Sequence, residues 1–257
     1  MNDVEYGMLR RTELLLGREA VDHIQAQRII IFGIGGVGSW TAESLIRTGV
    51  RRLTIVDADK VCLSNVNRQL MATAETVGQE KVEALKERLL TLNPVAEITA
   101  LAKVYAPENA AEFHIEDYDY VIDCIDSLAC KAHLILQATR MRKRLFSSMG
   151  AALKMDPTRV KVAEFWKVEG CPLAAALRNR FRRAKEFPSA KFKCVYSDEH
   201  LENKGENLPD NREEALSPTP MNFNKVQTNG SLAHITAIFG FTLAGLVLQD
   251  ICKETTL

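Results

Sequence analysis

The feature that most restricts the fold of this chain is a strand, a glycine-rich turn and a helix in immediate succession. The apolar, β-branched run at residues 28–32 predicts a parallel strand that is buried on both faces. The turn after it contains Gly33, Gly35, Gly36 and Gly38. Apolar residues at helical spacing then predict a helix over residues 39–48, which Gly49 ends. Such a unit is typical of nucleotide-binding α/β proteins, because the helix N-terminus favours negative charge.

The alternation of strands and helices continues along the chain. Apolar runs predict strands over residues 53–57, 97–104 and 118–125, and helical spacing predicts helices over residues 79–92 and 128–142. Two more strands are predicted over residues 145–154 and 159–168. Alternation of this kind favours a parallel sheet with helices on both faces. The predicted class is α/β, with a Rossmann-like, doubly wound, mostly parallel sheet, a long loop insertion and a C-terminal helix.

The C-terminal part of the chain has a different composition. Residues 171–225 are polar and weakly periodic, which is typical of a functional loop. Residues 231–251 form an apolar stretch that predicts a helix, but it contains His234, Thr236 and Gln249. Because such residues are costly in a span that faces lipid, we expect a core or interface helix and no stable membrane insertion. Residues 171–257 are thus expected to complete the same domain as residues 1–170.

Charge and cysteine content exclude several classes of protein. Lys plus Arg and Asp plus Glu both number 33, so the chain lacks the overall positive charge of a non-specific nucleic-acid coat. Its six cysteines form no C-x-x-C pair, which argues against a zinc site or a disulfide framework. The first residues lack the basic and apolar regions of a secretory signal. We therefore expect a cytoplasmic protein.

Asp57 strengthens the prediction of a nucleotide site. It ends the second predicted strand, about 20 residues after the glycine-rich turn, where a carboxylate can accept both ribose hydroxyls. The turn and the aspartate together fit an NAD enzyme and an ATP enzyme equally well.

A further set of polar residues favours ATP over NAD. Arg68 follows Asp57 in the chain, and Lys81 lies at the head of the next predicted helix. Hydride transfer does not need these cations at the carboxyl edge of the sheet, whereas attack of a carboxylate on an α-phosphate does, because charge builds up on the phosphoryl oxygens. Asp126, at the end of the fourth predicted strand, is placed to hold Mg²⁺. These residues predict a site for ATP and Mg²⁺.

The motifs resemble a known superfamily. Matching segments are residues 33–39, Asp57-Ala58-Asp59, residues 64–69, Lys81 and residues 123–126. They resemble the adenylating core shared by ubiquitin-activating enzymes and bacterial sulfur-carrier adenylyltransferases, over roughly residues 6–170. Within that superfamily, four segments resemble the tRNA threonylcarbamoyladenosine dehydratases: residues 11–17, residues 35–40 with Trp40, residues 194–197 and the helix after Gly230-Ser231. The resemblance therefore extends over nearly the whole chain, with residues 1–170 as the ATP-binding adenylation core.

The resemblance implies a role for each matching residue. Gly36 would lie against the nucleotide and Asp57 against its ribose. Asn65 and Arg68 would contact the phosphates, and Lys81 would stabilise the α-phosphate under attack. Asp126 would serve the metal. Arg11 matches an arginine that reaches the ATP of the partner subunit, so the resemblance also implies a homodimer.

The implied reaction is an ATP-dependent cyclisation. In the resembling dehydratases the threonyl carboxylate of threonylcarbamoyladenosine in tRNA is adenylated, and the carbamoyl group of the same nucleoside then displaces AMP. An internal nucleophile makes a catalytic cysteine unnecessary. An alternative is an adenylyltransferase for the C-terminal glycine of a sulfur-carrier or ubiquitin-like protein, although the zinc-binding cysteine pairs common in that group are missing. A nucleotide-binding module or NAD oxidoreductase is a third hypothesis, and a sulfur-transfer protein is a candidate partner.

A basic segment predicts where tRNA binds. Residues 178–193 contain seven basic residues against the single acid Glu186, with Phe181, Phe187 and Phe192 between them. Basic side chains bind phosphate and aromatic rings stack on unpaired bases. We expect tRNA contacts from Arg178, Arg180, Arg182 and Arg183. The alternative is a solvated amphipathic helix. Residues 198–214 reverse the sign, with seven acids against two bases.

Several other residues are expected to be structural. Cys194 lies in a pattern that predicts a strand, so a buried small hydrophobic residue is favoured over a reactive thiol. Cys124 falls in the fourth predicted strand and is expected in the core. Trp40, one turn into the first helix after the glycines, is expected to pack rather than to stack on adenine. The histidines have no metal-ligand spacing.

Overall fold

A seven-stranded sheet forms the centre of the protein. The computed structural model describes residues 3–205 and 229–253. The strands are β1 (Arg28–Phe32), β2 (Arg52–Val56), β3 (Glu97–Leu101), β4 (Tyr120–Asp123), β5 (Arg144–Ser148), β6 (Val160–Glu164) and β7 (Lys193–Ser197). Their spatial order is β3-β2-β1-β4-β5-β7-β6. Neighbouring strands are parallel except β6 and β7, which are antiparallel. The predicted doubly wound, mostly parallel sheet is confirmed.

Helices cover both faces of this sheet. They are α1 (Asp3–Leu16), α2 (Arg18–Ala26), α3 (Gly38–Thr48), α4 (Lys81–Leu92), α5 (Leu128–Arg140), α6 (Pro172–Ala184) and α7 (Ala233–Lys253). One core cluster joins α2, α3, α4 and α7 to one face, and a second joins α5 and α6 to the other. Residues 29–32 of β1 are all apolar because Ile29 and Ile31 belong to the first cluster while Ile30 and Phe32 belong to the second.

The segment after residue 170 contains more regular structure than the sequence pattern predicts. Strand β7 lies where the pattern around Cys194 predicted a strand, whereas helix α6 was not expected over residues 172–184, and only three of its side chains are buried: Ala174, Leu177 and Phe181. Their spacing is helical, but basic residues surround them and weaken the pattern. Residues 206–228, which include part of the acidic stretch, lie outside the described residues.

Helix α7 belongs to the core, as expected. Among the described residues it is the one helix long and apolar enough to cross a membrane, yet most of it is buried inside the protein. It packs along α3, where Thr41 Oγ1 donates a hydrogen bond to the carbonyl oxygen of Gly240 at 3.2 Å. At Gly240 a Cβ would lie 2.7 Å from the Val37 carbonyl oxygen and 2.8 Å from Trp40 Cβ. The glycine therefore sets how closely the two helices approach.

Two glycines of α7 give a matched test of this packing. Gly240→Ala should lower the free energy of unfolding by about 1–3 kcal/mol, because its Cβ has no space and α3 must move. Gly245→Ala, with nothing within 4 Å of the added Cβ, should be neutral or stabilise the protein by up to about 1 kcal/mol through helix propensity. Denaturant unfolding of both variants measures the difference. Equal unfolding free energies for both would contradict this account of the contact.

Candidate active site

The glycine-rich turn packs against the chain at the end of β4. Gly33 has φ 83°, and a Cβ there would lie 2.8 Å from the carbonyl oxygen of Cys124. At Gly38 a Cβ would lie 2.0 Å from the carbonyl oxygen of Gly33. Neither position has space for a side chain, so α3 begins directly beside the point where the strand order reverses. In open α/β sheets this crevice is where ligands bind.

The other two glycines of the turn have more space around them. A Cβ at Gly36 would lie 3.0 Å from Thr236 Cγ2 of α7, and one at Gly35 would meet only Gln69 Nε2, at 3.8 Å. Gln69 is buried, and its Oε1 has no hydrogen-bond partner within the described part of the chain. The backbone at Gly35 and the free amide oxygen of Gln69 thus form a polar cradle that fits part of a nucleotide. Gln69 and Thr236 were not predicted as site residues.

Asp57 links the end of β2 to the glycine-rich turn. Its Oδ2 accepts a hydrogen bond from the backbone N–H of Ile34 at 3.0 Å, and its Oδ1 accepts one from the N–H of Asp59 at 3.0 Å. Burial raises the pKa of this carboxyl, while the charge of Lys81 and the two N–H donors act in the opposite direction. The carboxylate is therefore held in a fixed orientation beside the turn.

Lys81 is buried at the start of α4 and forms an ion pair with Asp59. Its Nζ lies 2.8 Å from Asp59 Oδ2. Burial acts to lower the pKa of Lys81, but Asp57 and Asp59 together outweigh it and the pKa is raised. Lys81 thus carries its charge in a desolvated position. The second oxygen of Asp59 is buried and has no partner among the described residues, so it can accept a hydroxyl donor. The sequence motif included Asp59, but we did not predict it as a site residue.

The segment with Asn65 and Arg68 is fixed by bonds to its own backbone and to α3 and α7. Asn65 is buried, and its Oδ1 accepts a hydrogen bond from the N–H of Cys62 at 3.1 Å. Arg68 donates from Nη1 to the carbonyl oxygen of Ser64 at 2.8 Å. The carbonyl oxygen of Arg68 accepts from Trp40 Nε1 at 3.2 Å, so Trp40 has the packing role that was expected.

Asp126 follows a turn that a buried ion pair holds in place. Asp123 and Lys131 are fully buried, with Lys131 Nζ 2.8 Å from Asp123 Oδ2, and Ser147 Oγ donates to the same oxygen at 2.7 Å. Asp123 Oδ1 accepts from the N–H of Ile125 at 3.1 Å, and Lys131 Nζ donates to the Ile125 carbonyl oxygen at 3.0 Å. Asp126, the next residue, is exposed. Nothing in the sequence pattern indicated the role of Lys131.

The carboxyl edge of the sheet therefore brings together most of the predicted residues. The glycine-rich turn, Asp57, Lys81 and Asp126 all follow the carboxyl ends of β1, β2 and β4 or begin the next helix. Arg11 does not join them. Its neighbour Leu9 packs against Gly49, at the opposite end of α3 from the glycine-rich turn. A helix of the 11 residues of α3 is about 16 Å long, so Arg11 is remote from its own site.

The basic segment lies near the amino edge of the sheet. Ser189 N–H donates to Thr139 Oγ1 at 3.3 Å, and Glu186 is 3.6 Å from Arg140, at the end of α5. Arg180, Arg182 and Arg183 are exposed. Arg178 instead donates from Nη1 to the carbonyl oxygens of Phe165 and Val168, at 3.3 and 2.8 Å. Arg178 therefore also has a structural role.

The expected stacking role of the phenylalanines is wrong for two of the three. Phe181 and Phe192 are buried around Phe165, with ring centroids 5.8 and 5.1 Å away, and they form part of the core. Phe187 is exposed.

The cysteines and histidines add no further site. Cys194 lies in β7 and is buried, and burial raises the pKa of its thiol, as expected for a structural residue. Cys124 lies just beyond β4, and burial raises its pKa to about 12. No group of three or more His, Cys, Asp or Glu side chains that could hold a metal occurs in residues 3–205 and 229–253.

Comparison with known proteins assigns this arrangement to a family. Residues 9–257 match the ThiF family. The chain belongs to the ThiF family. Among its relatives, tRNA threonylcarbamoyladenosine dehydratase of Bacillus subtilis is 36% identical over 244 residues, which are 95% of this chain and 94% of the relative. Molybdopterin-synthase adenylyltransferase of Escherichia coli is 35% identical, but over 140 residues, 54% of this chain and 54% of the relative.

A solved structure matches the fold of this ThiF-family chain over nearly its whole length. The crystal structure of E. coli tRNA N6-threonylcarbamoyladenosine dehydratase in complex with ATP superposes with a TM-score of 0.85. It is 32% identical in sequence and covers 99% of this chain and 98% of its own. The fold that places the glycine-rich turn, Asp57 and Lys81 at one edge is thus similar to that of a relative whose crystal structure contains ATP.

The positions of Lys81 and Asp126 generate a prediction for catalysis. Lys81→Ala and Asp126→Ala should each lower ATP-dependent turnover, measured as AMP release, by a factor of at least about 100, because each removes a preorganised charge from the transition state. Lys86→Ala, a less buried lysine of the same helix α4, is the control and should keep wild-type turnover. A Lys81 or Asp126 variant that folds and retains more than half of the activity would remove that residue from the site.

Proposed function

We propose that this protein is an ATP-dependent tRNA threonylcarbamoyladenosine dehydratase. The observation that carries the proposal is the extent of the similarity. The match to the dehydratase of that name covers 95% of this chain, whereas the match to molybdopterin-synthase adenylyltransferase covers 54%. A match over 95% of the chain includes most of residues 171–257, which lie beyond the adenylation motifs.

The proposed reaction has two steps. The threonyl carboxylate of threonylcarbamoyladenosine in tRNA attacks the α-phosphorus of ATP, and pyrophosphate leaves. The carbamoyl group of the same nucleoside then attacks the activated carbonyl carbon, AMP leaves with the former carboxylate oxygen, and a proton is lost as the ring closes. Because the nucleophile is already part of the substrate, its effective concentration is high and no enzyme thiol is needed. The burial and raised pKa of Cys194 support a mechanism without that thiol.

Different residues at the carboxyl edge would bind ATP and stabilise the charge that develops during the reaction. Asp57 would accept the ribose hydroxyls, and the backbone at Gly36 would lie against the nucleotide. Asn65 and Arg68 would bind the phosphates. Lys81, charged and desolvated beside Asp59, would stabilise the negative charge that develops on the α-phosphate. Their common position at one edge of the sheet supports this division.

Asp126 would hold Mg²⁺ together with the phosphates of ATP. A single carboxylate plus substrate phosphates is a usual Mg²⁺ environment, since the ion keeps several waters. The exposure of Asp126 and the lack of a metal cluster elsewhere in the described residues both support an ion that enters with ATP. When bound, the ion neutralises phosphate charge.

Activity on tRNA that carries threonylcarbamoyladenosine tests the proposed function. Purified protein incubated with ATP, Mg²⁺ and tRNA that carries threonylcarbamoyladenosine should release AMP and convert this nucleoside into a product lighter by one water, as seen by mass spectrometry of the nucleosides. Cells that lack the gene should contain only the open form. Release of AMP only with a carrier protein that ends in glycine would instead establish the sulfur-carrier alternative. ATP left unconsumed with either substrate would favour the nucleotide-binding module or NAD oxidoreductase.

A homodimer in which Arg11 acts on the partner's ATP is also part of the proposal. Arg11 is exposed on α1 and remote from its own glycine-rich turn. The same helix exposes Tyr6, Leu14 and Leu15, whose exposed fractions are 59%, 80% and 83%. Large apolar side chains with this exposure favour a protein interface. An arginine supplied across that interface would make activity depend on assembly.

Mixed dimers distinguish action across the interface from action within one subunit. Arg11→Ala and Asp126→Ala should each be nearly inactive as homodimers. After subunit exchange about half of the dimers are mixed, and in these one site has both defects and the other has none. Activity should then recover toward a quarter of wild type. Unchanged activity after verified exchange would mean that Arg11 acts within its own subunit.

The remaining parts of the proposal concern partners and location. Arg180, Arg182 and Arg183 would bind tRNA phosphates, with Arg178 nearby, and their exposure at one side of α6 supports this. The enzyme would act in the cytoplasm, where its tRNA substrate is found. A sulfur-transfer protein would be an additional partner and is not needed for the reaction above.

A further inference from the structure

Two exposed aromatic rings lie beside the basic residues of α6. Trp166 and Phe187 have exposed fractions of 39% and 51%, and their ring centroids are 6.1 Å apart at an interplanar angle of 44°. The guanidinium carbon of Arg182 lies 6.0 Å from the centroid of the Trp166 ring. We refer to Trp166 and Phe187 as the aromatic platform. Large exposed rings of this kind next to cations are the usual means of binding an unpaired base.

The charges around the platform favour a polyanion. Among the exposed charged residues between positions 166 and 193, seven are basic: Lys167, Arg180, Arg182, Arg183, Lys185, Lys191 and Lys193. Two are acidic, Glu169 and Glu186, and Glu186 lies 3.6 Å from Arg140. Because the whole chain has 33 basic and 33 acidic residues, this excess is local. Charge complementarity therefore favours RNA over an ordinary protein partner.

A cavity next to this surface extends the positive charge. It has a volume of about 560 Å³ and is lined by Thr139, Arg140, Arg142, Lys143, Ser189 and Ala190. Ser189 and Ala190 follow Phe187 in the chain, so the cavity adjoins the platform. Three cations around one cavity can hold a phosphate group of the same RNA strand.

The platform is far from the proposed adenylation site. Phe165 N–H bonds to the Phe192 carbonyl oxygen, so Trp166 lies at the amino edge, whereas the glycine-rich turn lies at the carboxyl edge. The strands of five residues are about 16 Å long, and β6 is four strand positions, or about 19 Å, from β1. The separation is on the order of 25 Å by this geometry.

This separation determines which part of the tRNA reaches the platform. If the modified nucleoside occupies the adenylation site, a compact hairpin loop would keep its other unpaired bases close to that site. Bases farther along the supporting stem are paired and have no free face. A base that stacks about 25 Å away is therefore assigned to another unpaired region of the tRNA.

We propose that Trp166 and Phe187 stack on an unpaired tRNA base outside the hairpin that carries threonylcarbamoyladenosine, while Arg182, Arg183 and the adjoining basic cavity hold the flanking phosphates. The proposal rests on the function proposed above, because it assumes that this hairpin enters the adenylation site. The enzyme would then recognise the tRNA outside this hairpin as well as within it. The proposal also explains why two large rings are exposed on a surface that is otherwise charged.

Leucine substitutions separate stacking from packing. The double variant Trp166→Leu/Phe187→Leu keeps apolar side chains but removes both rings, and it should raise KM for full-length tRNA at least about fivefold, since stacking contributes roughly 1–3 kcal/mol per base. Maximal turnover should stay unchanged. The control Trp166→Phe/Phe187→Tyr keeps the rings and should stay within about twofold of wild type. For the isolated hairpin substrate, all these variants should equal wild type.

Fluorescence provides a readout that does not depend on turnover. The chain has two tryptophans, Trp40 and Trp166. Stacking of a base on Trp166 should quench its emission when tRNA is added, and Trp166→Phe should lose that part of the quenching. Replacing Arg182 and Arg183 by Ala should also flatten the dependence of tRNA affinity on salt, because fewer counterions are released.

Each other outcome counts against the proposal in a distinct way. Wild-type KM for full-length tRNA in the leucine variant would refute the platform. An equal rise in KM for the hairpin would place the stacked base within the hairpin and refute the assignment to another region. If wild-type protein acts on neither RNA but activates a carrier protein, the proposed function fails. In that case a tRNA titration without Trp166 quenching also removes the platform as an RNA site and leaves a protein as its partner.

Discussion

The contact between the glycine-rich turn and the end of β4 fixes the geometry of the site. Gly33 lies directly against the Cys124 backbone and Gly38 lies against the Gly33 carbonyl group, so neither position has space for a Cβ. Asp126 leaves the sheet two residues after Cys124. One close backbone contact thus sets both the start of α3, where phosphate is favoured, and the position of the candidate metal carboxylate. A side chain at either glycine would separate the two halves of the site.

The buried ion pair of Asp123 and Lys131 contributes more to the conformation of the turn before Asp126 than to the stability of the protein. Both side chains are fully buried, and the attraction within such a pair roughly offsets the cost of removing two charges from water. What the pair adds is order in the turn, because its two members bind the N–H and the carbonyl oxygen of Ile125. The residue before Asp126 is therefore held on both sides, although Asp126 itself is exposed. Rigid support beneath an exposed carboxylate is what precise metal placement requires.

The sequence was sufficient for features that depend on local pattern. β1 was predictable because four apolar residues in a row face two cores, and Asp57 was predictable because it ends a predicted strand at a fixed distance from the glycines. Residues joined by long-range contacts were not. Thr236 reaches Gly36 from α7, and the position of α7 depends on the close approach at Gly240. No local pattern encodes that contact.

The basic segment is a second case in which long-range contacts, and not the local pattern, decide which side chains are buried. Its phenylalanines are equivalent by spacing, yet Phe165 covers Phe181 and Phe192 and leaves Phe187 exposed. The sequence pattern did not identify Trp166 as a site residue, because its ring partner Phe187 is distant in the chain. Helix α6 was difficult to predict because only three of its side chains are buried.

The amino and carboxyl edges of the sheet carry different residues because neighbouring parallel strands begin at the same edge and end at the other. β1, β2, β5 and β7 each begin with an exposed basic residue and continue with four buried ones. At β2 and β5 this charge is opposed, since Arg52 lies 3.6 Å from Glu97 and Arg144 lies 3.5 Å from Asp250. Beside α6 the cations outnumber the acids. Among the described residues the amino edge is therefore most strongly basic on the side of β7 and β6, and under the functions proposed here a chain with no net charge would attract RNA at that surface while its carboxyl edge binds a nucleotide.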